Sequence, residues 1–298
     1  MNTDIFAAID IGSNAIRLLI NNIEESDGVP DFKKVAYLRV PIRLGDDVFT
    51  KGRISEDKKY RLIHAMQGFS HIMKAYCVMD FRACATSAMR DAENGKDIVK
   101  AIRNGSGINI DIITGREEAE MIYEAGELDR LMNKKLNYLY VDVGGGSTEI
   151  VVYSNQQKVI SNSFQLGTVR MLVDAVQEKE ERRFKCWLKE IYEAHGPLNI
   201  IASGGNINKI HKVLEKRDRE PINNEELKAF YDTLKELSYE ERVQKYKLNT
   251  YRADVIVPAL KIFLTISKIC KVNQIYVPKI GLADGIIHHL YYERRAKP

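Results

Sequence analysis

The chain has almost no excess of charge. Its 298 residues carry 45 Lys and Arg against 41 Asp and Glu, a formal net charge of +4. A balance this even argues against nucleic acid as the partner, although it leaves room for a local basic channel suited to an anionic polymer. Cysteine is scarce: Cys77, Cys84, Cys186 and Cys270 are far apart and form no metal-spaced pair, which is expected of free thiols in a reducing compartment. The N-terminus lacks a basic region followed by an apolar core, and no run approaches the ~18 apolar residues of a membrane span. The expectation is therefore a cytoplasmic protein with no membrane partner. His64 and His71 read as ordinary helix residues, His288 and His289 have no metal-spaced partners, and no Ser-His or Cys-His nucleophile pattern is visible. The length suffices for two domains of about 100–150 residues, each with its own core.

The chain is organised around Tyr140-Val-Asp-Val-Gly-Gly-Gly-Ser-Thr-Glu-Ile-Val-Val152. Leu139, Val141 and Val143 approach a turn and Ile150, Val151 and Val152 leave it, with the β-branched enrichment of buried strands. Three consecutive glycines, Gly144, Gly145 and Gly146, remove every Cβ at the tip, so backbone N–H groups can approach an anion such as phosphate. Asp142 and Glu149 bracket the turn, and carboxylates beside a phosphate nest point to a divalent metal more often than to a bare anion site.

A similar pattern occurs near the N-terminus, in Ala7-Ala-Ile-Asp-Ile-Gly-Ser-Asn-Ala-Ile-Arg-Leu-Leu-Ile20. Setting Asp10 on Asp142 places Gly12 on Gly144. Each copy continues into a second turn (Ser26-Asp27-Gly28; Asn155-Gln156-Gln157) and a third strand (Val35–Val40; Val159–Phe164). The two copies start roughly half a chain apart. Duplication of this kind predicts two similar α/β domains facing each other across a cleft, with one phosphate loop from each.

Two Asp-x-Gly hairpins in duplicated domains resemble the acetate kinase, sugar kinase and actin superfamily. In detail the chain is similar to the exopolyphosphatase and guanosine pentaphosphate phosphohydrolase (Ppx/GppA) family. The resemblance rests on Asp10-Ile-Gly-Ser-Asn14 with Arg17, Ala85-Thr-Ser-Ala-x-Arg90 through Asn94, Gly115-x-Glu-Glu-Ala119, and Asp142-Val-Gly-Gly-Gly-Ser-Thr-Glu149. Ser163-x-x-x-Gly167-x-Val-Arg170, Arg252-Ala-Asp-Val-Ile256 and Gly281-Leu-x-x-Gly285 complete it. It implies an α/β fold of two duplicated actin-like (ribonuclease H-like) domains. Domain I would be 1–134, with a C-terminal helix at 281–298 packing back on it, and domain II 135–280.

Between these motifs the reading is ordinary. Strands are expected at Phe6–Ile11, Ala15–Ile23, Phe32–Val40, Phe81–Ala85, Ile108–Ile113, Leu198–Ala202 and Lys271–Pro278. Gly45 suggests a turn, and Arg43 beside it reads equally as a phosphate contact or a solvated arginine. Ser55 caps a helix with Leu62, Ile63, Met66, Phe69 and Met73 at helical spacing. The strand ending at Ala85 runs into a helix carrying Met89, Arg90 and Asn94. A strand end feeding a helix N-terminus is where α/β folds bind anions, so Ser87 and Arg90 join the phosphate set. Glu117, in the first turn of the next helix, reads as a helix-dipole partner. Ser203-Gly-Gly-Asn206 reads as a structural turn, and Trp187 as a packing anchor.

The resemblance implies a metal-dependent phosphoanhydride hydrolase that releases the terminal phosphate of inorganic polyphosphate. Guanosine pentaphosphate is the alternative substrate, and a non-catalytic polyphosphate- or nucleotide-binding protein the alternative class. Glu118 matches the family's general base, a role that hydrolysis by an in-line water requires. The expected phosphate contacts are Gly12, Ser13, Asn14, Arg17, Ser87, Arg90, Gly144, Gly145, Gly146, Ser147, Thr148 and Thr168. Asp142 and Glu149 are the expected ligands of Mg2+ or another divalent cation, with Asp10 as a further candidate. Ala15 and Asn206 depart from the family's usual residues. Longer members continue into helical C-terminal domains, and homodimers are common among relatives.

Overall fold

The computed structural model describes residues 4–26, 28–124 and 132–296. The chain divides into two compact units, Met1–Gly126 with Leu282–Pro298, and Glu127–Gly281.

In the first unit, β1 (Asp4–Ile11), β2 (Ile16–Ser26) and β3 (Val29–Val40) form an antiparallel meander. The chain then passes through α1 (Leu44–Lys51) and α2 (Glu56–Ala75) to β4 (Asp80–Ala85), which pairs parallel to β1. After α3 (Ser87–Asp91) and α4 (Gly95–Ser106), β5 (Asp111–Ile112) adds to β4 and leads into α5 (Gly115–Glu124). The sheet order is β3-β2-β1-β4-β5. β1 is apolar from Ile5 to Ile9 and buried from Phe6 onward, because it lies centrally with both faces covered. β3, at the edge, has no such run of buried residues. Leu62, Met66, Phe69 and Met73 of α2 belong to the same buried core as Ile9 and Leu18. Each such side chain contributes roughly 1.5–3 kcal/mol of burial. The Ser55 hydroxyl caps α2 by accepting from the Lys58 N–H.

The second unit repeats the plan. β6 (Asn137–Val143), β7 (Thr148–Ser154) and β8 (Gln157–Phe164) form the meander. The short α6 (Thr168–Leu172) and long α7 (Glu178–His195) then lead to β9 (Leu198–Ser203), parallel to β6. The hairpin at Asn155 and Gln156 has both residues at positive φ, 52° and 62°, as a tight mirror-image turn requires. α8 (Gly205–Val213), β10 (Ile222–Asn223), α9 (Asn224–Glu236), α10 (Tyr239–Tyr246), α11 (Thr250–Ala253), α12 (Ile256–Ile269) and β11 (Gln274–Tyr276) complete the unit. Its sheet order is β10-β11-β9-β6-β7-β8. Leu260 and Phe263 of α12 and Phe184 and Leu188 of α7 fill its core, and the Trp187 ring packs edge-on to Phe164. The fold is thus α/β with the same meander in each unit. Among the described residues no helix is long and apolar enough to cross a membrane.

α13 (Leu282–Ala296) belongs to the first unit and packs on α5 and β1. The His288 ring stacks on Phe32 at 3.6 Å, and Asp284 pairs with Lys34 at 2.7 Å.

Some elements differ from the sequence expectation. Gly45 is not in a turn but inside α1, and the left-handed residue that starts this helix is Arg43, at φ 58°. Asn94 does not continue the helix of Arg90. α3 stops at Asp91, and the Asn94 side chain clasps both backbone groups of Ile54 at 2.9 Å. The strands at 108–113 and 271–278 shorten to two and three residues, because only those find a neighbouring strand to pair with. Asp27, in the expected second turn, lies outside the described residues.

Candidate active site

The glycine loop of the second unit is shaped from behind. The Thr168 N–H donates to the Gly144 carbonyl at 3.0 Å, and the Val169 and Arg170 N–H groups donate to the Gly145 carbonyl at 2.7 and 3.1 Å. Arg170 Nε donates to the Gly146 carbonyl at 2.9 Å. In a trans peptide the C=O and the following N–H point in opposite directions. Three carbonyls drawn toward α6 therefore turn the N–H groups of Gly145, Gly146 and Ser147 to the other side, where they form an anion nest. Gly167 permits this approach, since a Cβ on it would lie 2.4 Å from the Gly146 carbonyl carbon. Thr168 and Thr148 also hold the loop. The Thr168 N–H is spent on Gly144, and the Thr148 hydroxyl donates to the Leu166 carbonyl at 2.5 Å.

Asp142 and Glu149 face each other in register across β6 and β7 and are both buried. Like charges placed directly opposite destabilise a strand pair, so a site that keeps both favours a bound cation. Ser163 of β8 donates to Glu149 Oε1 at 2.9 Å and orients it. Gly204, at φ 113°, caps α8, and a Cβ there would lie 3.1 Å from Asp142 Oδ1 and 2.8 Å from the Val143 carbonyl. The donor set, two hard carboxylates next to an anion nest, fits a divalent cation.

The first-unit loop is built alike. Gly12 N–H donates to the Ala15 carbonyl at 3.1 Å, as Gly144 N–H does to Ser147 at 3.0 Å. The Ser13 carbonyl accepts from Gly45 N–H at 2.8 Å and the Asn14 carbonyl from Arg43 N–H at 3.1 Å, which turns the N–H groups of Asn14 and Ala15 outward by the same rule. α1 thus braces this loop as α6 braces the other, and Gly45 again sits at the contact. Asp10 and Arg17 are paired in register and form an ion pair, so Asp10 already holds a cation and is the weaker metal candidate. The hydroxyls of Ser13 and Ser87, at the ends of neighbouring parallel strands, are buried without a hydrogen-bond partner. Buried hydroxyls of this kind are usually completed by a water, an ion or a ligand. Arg90 donates to the Ile113 carbonyl at 2.7 Å, and the Arg43 guanidinium forks onto Asp46 at 2.7 and 3.0 Å.

Glu117 and Glu118 differ as their surroundings dictate. Glu117 accepts from the Thr114 N–H at 2.7 Å and hydroxyl at 2.8 Å, and these bonds hold its carboxyl below the usual range. It is a cap. Glu118, by contrast, is buried in α5. Buried Cys84, paired in register with Asp10, has its thiol pushed up to about 12, first by burial, with Asp10 and Glu118 among the charges acting on it. Glu118 sits in the first turn of α5, directly after β5, the strand that pairs with β4.

Ser163, Arg170, Gly45 and Gly204 carry site geometry that the sequence did not assign. The sequence signals were the spacing of Ser163, Gly167 and Arg170, which marks a motif but no partner, and the turn readings at Gly45 and Gly204, which name no contact.

The Ppx/GppA phosphatase family profile matches residues 22–293. A guanosine-5'-triphosphate,3'-diphosphate pyrophosphatase of Aeromonas hydrophila is 24% identical over 97% of this chain, which spans 60% of that protein's length. A putative exopolyphosphatase of Haemophilus influenzae is 22% identical over 95% of this chain and 90% of its own. The crystal structure of the Aquifex aeolicus Ppx/GppA family member superposes with a TM-score of 0.77 at 26% identity, covering 98% of this chain and 99% of that one. With two braced glycine loops and a register-paired Asp142 and Glu149 on the same duplicated fold, the chain belongs to the Ppx/GppA phosphatase family.

Proposed function

We propose that the protein hydrolyses the terminal phosphoanhydride of inorganic polyphosphate with the help of a divalent cation. The observation that carries this reading is the pairing of Asp142 with Glu149 beside a loop whose amides are turned outward. Gly144, Gly145, Gly146 and Ser147 of the second unit, and Gly12, Ser13, Asn14 and Ser87 of the first, bind phosphoryl oxygens. Arg17 and Arg90 add positive charge. Asp142 and Glu149 hold Mg2+, which supplies charge neutralisation on the transferred phosphoryl group. Glu118 orients the attacking water and takes its proton. The free, buried thiols Cys84 and Cys270, both pushed up to about 12, fit a reducing cytoplasm.

Guanosine pentaphosphate is the second reading, favoured by the Aeromonas relative. Both substrates offer the same terminal anhydride, and no residue described here separates them. The test is phosphate release from medium-chain polyphosphate with Mg2+, against Glu118→Gln as the matched control. Release that falls by about 100-fold or more in the variant, leaving a measurable residue, supports hydrolysis and the base together. Release that survives at the native rate removes Glu118 from its role. No release by the native protein from either substrate, with binding retained, leaves a binding protein.

A further inference from the structure

Gly285, within a motif to which the site above assigns no role, lies in α13 against the backbone of α5. A Cβ on Gly285 would fall 2.0 Å from the Met121 carbonyl oxygen, 2.5 Å from its carbon and 2.9 Å from the Ile122 nitrogen. The contact is backbone on backbone, so no side chain can swing aside. Gly285 is not needed for its own conformation, since it is an ordinary helical residue, and as such it costs its helix about 0.5–1 kcal/mol relative to Ala. Its presence is explained by the approach of α5.

We infer that Gly285 is a positioning residue for Glu118, an inference that rests on the proposed role of Glu118 as base. Met121 follows Glu118 by three residues in a ten-residue helix, so the two are about 4.5 Å apart along its axis and move as one body. α13 cannot easily recede. Asp284 beside Gly285 is held by Lys34 at 2.7 Å, His288 is stacked on Phe32, and Arg295 pairs with Glu25. A Cβ at residue 285 therefore displaces α5, and Glu118 with it, by roughly 1 Å. A misplacement of that size typically costs about 100-fold in rate.

The test is a double-mutant cycle on phosphate release, with Gly285→Ala, Glu118→Gln and both together. Gly281→Ala serves as the matched control, because a Cβ there meets nothing within 4 Å. Gly285→Ala is expected to lower kcat about 100-fold while KM stays within a few-fold. In the Glu118→Gln background it is expected to change kcat by less than a few-fold, because the group it displaces is already gone. Native kcat in Gly285→Ala, or an undiminished further loss in the double variant, overturns the inference. Should Gly285→Ala not fold, Lys34→Ala is the milder variant, since it removes the ion pair that anchors Asp284 beside Gly285 and such a partly exposed pair contributes only about 0–1 kcal/mol to stability. It is then expected to lower kcat several-fold in the native background and not in Glu118→Gln, and equal effects in both sink the idea. No release by the native protein, or full release by Glu118→Gln, would instead count against the functional reading itself.

Discussion

Asp142 and Glu149 stand opposite each other across β6 and β7, where the first hairpin sets Asp10 opposite Arg17. The duplicated frame is the same, and one change from base to acid at the second position converts an internal ion pair into a pair of carboxylates. The first hairpin is neutralised from within the protein. The second is suited to a cation from solution.

That contrast predicts a metal effect on stability. Saturating Mg2+ is expected to raise the native Tm by about 5 °C, from a binding contribution of about 2–3 kcal/mol at 100-fold excess over Kd. Glu149→Gln should lose most of that shift, and Arg17→Gln should keep it. Calorimetry with and without Mg2+ decides, and equal shifts in native and Glu149→Gln proteins would remove these carboxylates as the metal site.

Gly167→Ala tests the brace. The added Cβ meets the Gly146 backbone at 2.4 Å, so the loop must move and its outward amides with it. KM for polyphosphate should rise at least about tenfold, the effect of losing roughly 1.4 kcal/mol of binding. Gly68→Ala, where a Cβ meets nothing within 4 Å, should leave KM unchanged. A native KM in Gly167→Ala would mean that the loop does not hold phosphate.

Ser87→Ala should separate binding from stability. Its hydroxyl is buried without a partner, and removing an unsatisfied buried polar group is neutral or stabilising by up to about 1–3 kcal/mol. The variant is therefore expected to melt at or above the native temperature while its KM rises. A lower Tm with an unchanged KM would make the hydroxyl structural.

Asp47 ties the brace of the first loop to α2. Its carboxylate accepts from the Ser55 N–H at 3.0 Å and pairs with Lys58 at 2.9 Å, and Lys58 also donates to the Arg43 carbonyl at 2.6 Å. Burial alone would push this carboxyl up, but the bonds from Ser55 and Lys58 together outweigh it and hold it below the usual range. A depressed folded value gives stability that is present above the ordinary carboxylate pKa near ~4 and lost as pH falls through the lower folded value. Asp47→Ala should thus cost about 1–2 kcal/mol at pH 7, with the gap to the native protein narrowing below about pH 4. A gap independent of pH would show that packing, not charge, holds this joint.

The hairpins were legible because they are local. Asp10, Gly12, Asp142, Gly144 and Glu149 are close in sequence, and the apolar strands around them announce both turns without tertiary information. Asn94 was misplaced for the opposite reason. Its partner is Ile54, forty residues away, and helical spacing cannot show that α3 stops to let the side chain reach it. Gly45 was misread because glycine ordinarily marks a turn, whereas here it lies inside a helix so that its N–H can reach the Ser13 carbonyl. Thr148 and Thr168 read as phosphate contacts by motif, and no local pattern shows that one hydroxyl and one amide are also committed to the backbone that supports the loop.

The amino-acid order by itself therefore determined the duplicated α/β plan, the two glycine turns and the choice of acidic groups, because strand periodicity and missing Cβ atoms are properties of neighbouring residues. Only the tertiary structure decided which way the loop amides point and what α5 rests against. Those depend on carbonyls captured by α1 and α6, and on the bare backbone of Gly285 meeting Met121, contacts between residues that no local pattern connects.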